Sequence, residues 1–464
     1  MNPIALLLIG MAIVVGGILA LRLHAFLALI LGAFAVALLT PDAALRQFAD
    51  ERVQKSELTA KSAAKFLEKA APARVADEFG ATCAKLGILI GMATIIGEGM
   101  LRSRAAEAIA AALLRVFGAT RAHWAFFTSS FLLCIPVMLD TVMYLLAPLF
   151  KALARRTGSG YLMLVMCTVA GGTITHSLVP PTPGPLLVAA YLNVPIGLMI
   201  GMGSAIGLGA ALCGVAFASW SCRHHTLEVP AEDAPAKVAA PRALPPLWLS
   251  LLPVVLPVAL IGIDASVSAE WKQSGTWFAW LMKTIGDKDM AITLGAIAAL
   301  IPLAGRGGES GVAVKNAVTE GAVIVLIIGA GGAFGGVLQQ TGIAGELAAR
   351  FQGIHTFALP AVFLVTALVR TAQGSATVAM ITAAPIAKAL IAGGATIHPV
   401  YFAVAIGCGS KPFPWMNDAG FWIITRLSGL RESETLRTIS PMMSIQGVAG
   451  LALTMLAAWL WPLR

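Results

Sequence analysis

Thr175-His176-Ser177-Leu178-Val179-Pro180-Pro181-Thr182-Pro183-Gly184-Pro185 interrupts one long apolar segment, and Gly409-Ser410-Lys411-Pro412-Phe413-Pro414-Trp415 interrupts another. Pro180, Pro181, Pro183 and Pro185 lack backbone donors and clash with preceding carbonyls, so no regular helix runs through the first stretch. Pro412 and Pro414 act likewise in the second. Apolar chain flanks both, so each reads as a helix broken at membrane depth. Unpaired backbone groups there must find neighbours, water or a ligand. Half-helix N-termini at the breaks would offer free N–H groups and about half a positive charge, a setting for an anion.

Composition agrees. Of 464 residues, 58% are hydrophobic and 12% charged, against about 25% charged in ordinary soluble proteins. That excludes a soluble globular chain, a disordered chain and a disulfide scaffold, and leaves an all-α polytopic membrane protein. The net charge of +9 comes from basic residues that punctuate apolar spans, which argues for membrane topology and against a nucleic-acid partner. The scattered cysteines form no CxxC pair and read as packing residues; neither metal nor cofactor is expected.

Apolar segments predict ten crossings: 3–21, 24–40, 82–101, 160–193 (interrupted), 196–220, 246–266, 290–304, 316–339, 399–428 (interrupted) and 441–463. Two further stretches, 122–150 and 355–391, carry polar tips at Leu139-Asp140-Thr141 and Thr371-Ala372-Gln373-Gly374-Ser375 and read as re-entrant hairpins. Basic residues such as Arg102, Arg104, Arg115 and Arg121 concentrate on one set of loops, which places both termini outside the cytoplasm. Residues 3–21 read as a retained helix rather than a signal peptide. Segment 41–78 mixes Leu45, Phe48, Val53, Phe66 and Leu67 with charges, as an amphipathic insert would. Segment 223–245 reads as a cytoplasmic linker between a first half, 1–222, and a second, 246–464.

The halves match in register. Asp140 falls on Gln373, His176-Ser177 on Gly409-Ser410, and Pro181 on Pro414. Each half would hold about five crossings, one of them broken, plus a hairpin. An odd number of crossings inverts the second copy, and paired broken helices at matching positions point to a transporter's binding site.

At these motifs the chain resembles the gluconate permease family of the ion transporter superfamily. The resemblance rests on Ile135-Pro136-Val137-Met138-Leu139-Asp140, Thr175 to Pro185, Ala372-Gln373-Gly374-Ser375-Ala376-Thr377-Val378-Ala379, Asn417-Asp418-Ala419-Gly420-Phe421-Trp422 and the opening Leu21-Arg22-Leu23-His24-Ala25-Phe26. It covers nearly the whole chain apart from 46–74, which looks like an insertion. The resemblance implies proton-coupled uptake of gluconate or a related sugar acid across the bacterial inner membrane. It also implies a homodimer in which a scaffold holds mobile transport domains that move as elevators. Pro414-Trp415-Met416 replaces a Ser-His pair often found in the family before Asn-Asp, and Lys411-Pro412 replaces apolar residues, so one wall of the pocket differs.

Charge at membrane depth is costly, so ionisable residues there are candidates by default. Asp140 is a proton carrier or a helix cap, and Asp418 has the same two readings. His176 suits proton exchange or a structural hydrogen bond. Lys411 pairs with Asp418 or meets a substrate carboxylate; Arg370 grips a carboxylate or reaches an interface. Thr175, Ser177, Thr182, Gln373, Ser375, Thr377, Ser410 and Asn417 would hydrogen-bond a hydroxylated acid or satisfy broken backbone. Lys85, Glu98, Glu320 and Lys388 read as snorkelling side chains, and Gly329 to Gly336 as a helix-packing face. The expected function is proton symport of a small organic anion. Sodium-coupled uptake of a di- or tricarboxylate is the rival, with an anion channel and an intramembrane enzyme behind it.

Overall fold

The structure, a computed structural model, describes residues 2–463 except 55–58, 158–159, 226, 228, 230–243, 267–275, 344–345, 347–356, 394 and 417. Among the described residues there are helices and no strand. Most of the expected 223–245 linker lies outside them.

Helix α1 (Pro3–Leu19) starts where the Asn2 side chain accepts from the Ile4 N–H at 2.8 Å. It packs on α2 (Ala25–Leu39). Pro41 follows, and α3 (Asp42–Gln54) leaves α2 at 97°. Helix α4 (Ala60–Leu67) completes a short charged excursion before α5 (Ala71–Arg102), a 32-residue rod. The last residues of the expected insert therefore belong to α5, not to the amphipathic segment. Arg74 makes this tolerable: 5% exposed, it donates to the Gln340 side chain at 3.1 Å and to the Ala37 carbonyl at 3.0 Å. The two contacts offset part of the cost of burying the cation, whose Nε has no partner among the described residues.

After α6 (Ala105–Phe117) come α7 (Ala122–Leu133) and α8 (Leu139–Thr157), separated by the tip 134–138 and both packed on α9 (Tyr161–Leu178). The proline run ends α9, and α10 (Pro183–Tyr191) continues the broken rod. The long α11 (Ile196–Ser221) closes this half.

The second half begins with α12 (Leu247–Ser266), the short α13 (Trp277–Ile285) and α14 (Lys288–Leu300). Helix α15 (Glu309–Gln339) packs along α5 through its glycine face, as expected. A Cβ on Gly329 would lie 2.6 Å from Phe79, and one on Gly332 or Gly336 would overlap Thr82 or Glu78. Next come α16 (Ala358–Gln373) and α17 (Ala376–Ala392), packed on each other around Gly374-Ser375. Gly374 takes φ 81°, a conformation glycine adopts freely. A second broken pair follows, α18 (Pro399–Gly409) and α19 (Ala419–Ser428), then the long α20 (Glu432–Leu460). The order helix–turn–helix, broken rod, long rod thus occurs in both halves.

Among the described residues, five helical stretches are long and apolar enough to cross a membrane, or six if the bent pair α2–α3 counts as one span. The other expected crossings fall on shorter apolar helices; α1 has 17 residues, about 26 Å of rise against a hydrocarbon core of about 30 Å.

Candidate functional site

Both tips and both breaks meet around a cavity of about 310 Å³. From the first tip come Met138, Leu139 and Asp140; from the second, Gly374, Ser375, Ala376 and Thr377. The broken rods add Thr173 and His176 on one side and Lys411, Pro414 and Asp418 on the other. Phe421, Ile424, Ile439 and Met443 supply an apolar wall, and Arg370 completes the lining.

Helix α8 begins at Leu139, so Asp140 lies in its first turn rather than at the cap position. A carboxylate there complements the helix dipole. Asp418 does cap α19: Oδ1 accepts from the Gly420 N–H at 2.8 Å. Its Oδ2 also accepts from Arg370 Nη2, a buried ion pair with the guanidinium 4% exposed.

This pairing corrects two expectations. Asp418 is neutralised by Arg370, not by Lys411, and Arg370 is already committed. Its remaining nitrogens donate to the Ser410 carbonyl at 3.0 Å and to the Gly374 carbonyl. Arg370 therefore ties the second tip to the second break. Lys411, 2% exposed, donates to the Thr173 carbonyl at 2.7 Å and so bridges the two broken rods.

The hydroxyls divide. Thr175 donates to the Gly171 carbonyl at 2.9 Å, Thr182 to Val179 at 2.7 Å and Ser410 to Gly407 at 2.7 Å, and none of the three lines the cavity. They satisfy backbone near the breaks. Ser375 and Thr377 do line it, with Ser375 capping α17. Ser177 is buried away from the cavity, and its Oγ has no protein partner. The His176 ring reaches the cavity with a buried Nδ1 that also has none. Asn417 and the Gln373 side chain lie outside the described residues.

The expected source of N–H groups also needs correcting. Pro183 and Pro185 leave Gly184 as the only N–H donor among the first three residues of α10, and Thr182-Pro183 line a smaller neighbouring cavity instead. Helix α19 spends a first-turn N–H on Asp418. The starts of α8, α17 and α19 all reach the cavity, and α17 likewise spends one N–H, that of Val378, on its cap Ser375. First-turn N–H groups have no intrahelical acceptor, so those not spent on a cap give these starts a partial positive charge.

Two members of the site escaped the sequence. Thr173 Oγ1 shares its proton between the Val169 carbonyl at 2.8 Å and Gln446 Oε1 at 3.2 Å, and Gln446 Nε2 donates to the Ala170 carbonyl at 2.8 Å, holding α9 just before its break. A lone glutamine inside the apolar segment 441–463 was the available signal. Glu98, expected to snorkel, instead accepts from Arg102 at 2.6 Å and from Asn316 at 3.1 Å.

Known proteins agree with a permease. Residues 68–460 match the GntP family permease family. The chain is 33% identical over 390 residues to a gluconate permease of Pseudomonas aeruginosa, covering 82% of this chain and 86% of the relative. It is 30% identical over 393 residues to the D-serine transporter DsdX of Escherichia coli, covering 82% and 86%. In fold it is similar to the YdaH transporter of Alcanivorax borkumensis, at TM-score 0.57 and 14% identity, covering 87% of this chain and 90% of that one. A multi-pass membrane transporter rather than an enzyme, the chain belongs to the GntP permease family.

Proposed function

We propose that the chain is a bacterial inner-membrane symporter that takes up gluconate or a related sugar acid with protons. The observation that carries this reading is the convergence of two helix starts, Lys411 and Asp140 on one cavity. The helix starts of α8 and α17 attract the carboxylate. Ser375, Thr377 and the unpartnered His176 Nδ1 meet its hydroxyls. Asp140 carries the proton, because it lines the cavity and, among the described residues, no cation pairs with it in the way that Arg370 pairs with Asp418. Alternating access follows from displacement of the tips and breaks as one body, tied by Arg370 and Lys411, against α1, α2, α5 and α15. An inverted repeat and a homodimer belong to the same proposal.

The D-serine transporter among the relatives favours a second reading. A site with both acid and base suits a small hydroxylated zwitterion. Counterflow in proteoliposomes, across sugar acids, dicarboxylates and D-serine, separates the two. Imposed gradients then identify the coupling ion: a proton gradient should drive accumulation and a sodium gradient at fixed pH should not. Asp140→Asn should keep counterflow and lose proton-driven accumulation. Accumulation by Asp140→Asn equal to wild type removes Asp140 from the proton pathway.

A further inference from the structure

A second cavity of about 290 Å³ lies at the far ends of α10 and α17. Along α17, Lys388 sits eleven residues beyond Thr377, so the two cavities are separated by about 16 Å of helix at the usual rise. Arg52, Lys85 and Lys388 place three cations on its wall. Of the two acids on the wall, Asp77 pairs with Lys69 at 2.6 Å, and Glu78, which accepts from Gln340 at 3.2 Å, also interacts with Arg52 and Lys388. Tyr191 accepts from Gln339 Nε2 at 2.6 Å and keeps its phenol proton to donate, while Lys388 lies 4.7 Å from the Tyr191 ring centre. Lys85 and Lys388, read from the sequence as snorkelling side chains, both reach this wall.

We infer that this cavity is a second binding site for a small hydroxylated carboxylate, roofed by the α3 insert and distinct from the central cavity. Its volume nearly equals that of the central cavity, its cations outnumber its acids, and Tyr191 and Gln339 supply the polar contacts that a hydroxyl group needs. Arg52 comes from α3, which precedes the part of the chain that the family model matches, so the site is built partly from outside that region. The class of ligand rests on the function proposed above; the site itself rests on the cavity and its charges. Because Lys388 rides on the same helix as Thr377, an occupant here also holds the hairpin arm against α5.

Binding stoichiometry tests the inference. Purified full-length protein is dialysed against radiolabelled gluconate, glycerate, lactate and succinate in turn. At least one should bind at two equivalents per chain, falling to one in Lys85→Gln and in Arg52→Gln, with the lost equivalent weakened about tenfold or more. Arg52→Gln, on a helix outside the family match, guards against a folding defect at Lys85. One equivalent or none in wild type with every carboxylate overturns the inference, as does a second equivalent that survives both substitutions. Gluconate counterflow, measured alongside, reports on the proposed function separately. Counterflow with a single equivalent leaves that function standing without this site, and two equivalents, one of them Lys85-dependent, without counterflow do the reverse.

Discussion

Arg370 and Asp418 are the buried charges on which the site's geometry depends. Removing one partner of such a pair strands the other, at a cost of about 3–5 kcal/mol. Asn caps helices as well as Asp does, so Asp418→Asn isolates the charge from the cap. Chemical denaturation in detergent should show it destabilised by about 3–5 kcal/mol, with part of the loss recovered in Arg370→Met/Asp418→Asn. Equal stability of Asp418→Asn and wild type would mean that the pair is not formed. The sequence marked both residues as costly at membrane depth but could not assign the partner. Lys411 is seven residues from Asp418 and Arg370 is forty-eight; only the packing of α16 against α18 brings Arg370 to Asp418.

Among the elements, the breaks were legible because proline acts locally. Which helix starts face the cavity was not, since that depends on how four segments converge. The prolines that made the first break visible also strip α10 of donors, which leaves the starts of α8 and α17, at the tips, for the proposed anion. Gln446 acts at the same scale by holding α9 straight up to its break. Gln446→Leu takes the side-chain donor from the Ala170 carbonyl while the Thr173 hydroxyl keeps the Val169 carbonyl, and the melting midpoint should report a loss of about 1–3 kcal/mol. Gly332→Ala puts a Cβ onto Thr82 between α15 and α5 and should cost about 1–3 kcal/mol through overpacking. A neutral result there would mean that the two rods are not in close contact.

For the molecule as a whole, composition and the order of apolar segments were enough to indicate a helical membrane transporter. The extent of each rod was not, because charged turns such as 71–78 extend α5 where tertiary partners accept Arg74. The excursion 42–67 lies before the matched family region and touches the central cavity with none of its residues. Replacing it with a short flexible linker should therefore preserve gluconate counterflow, measured in proteoliposomes; loss of counterflow in a folded protein would give the insert an essential part in transport.

The most direct measurement is an experimental density map of the full chain with gluconate bound. Ligand density is expected in the central cavity, with its carboxylate against the first turns of α8 and α17 and its hydroxyls toward Ser375, Thr377 and His176. Ligand density elsewhere with that cavity empty, or tips 134–138 and 374–375 lying far apart on opposite membrane faces, would contradict the account.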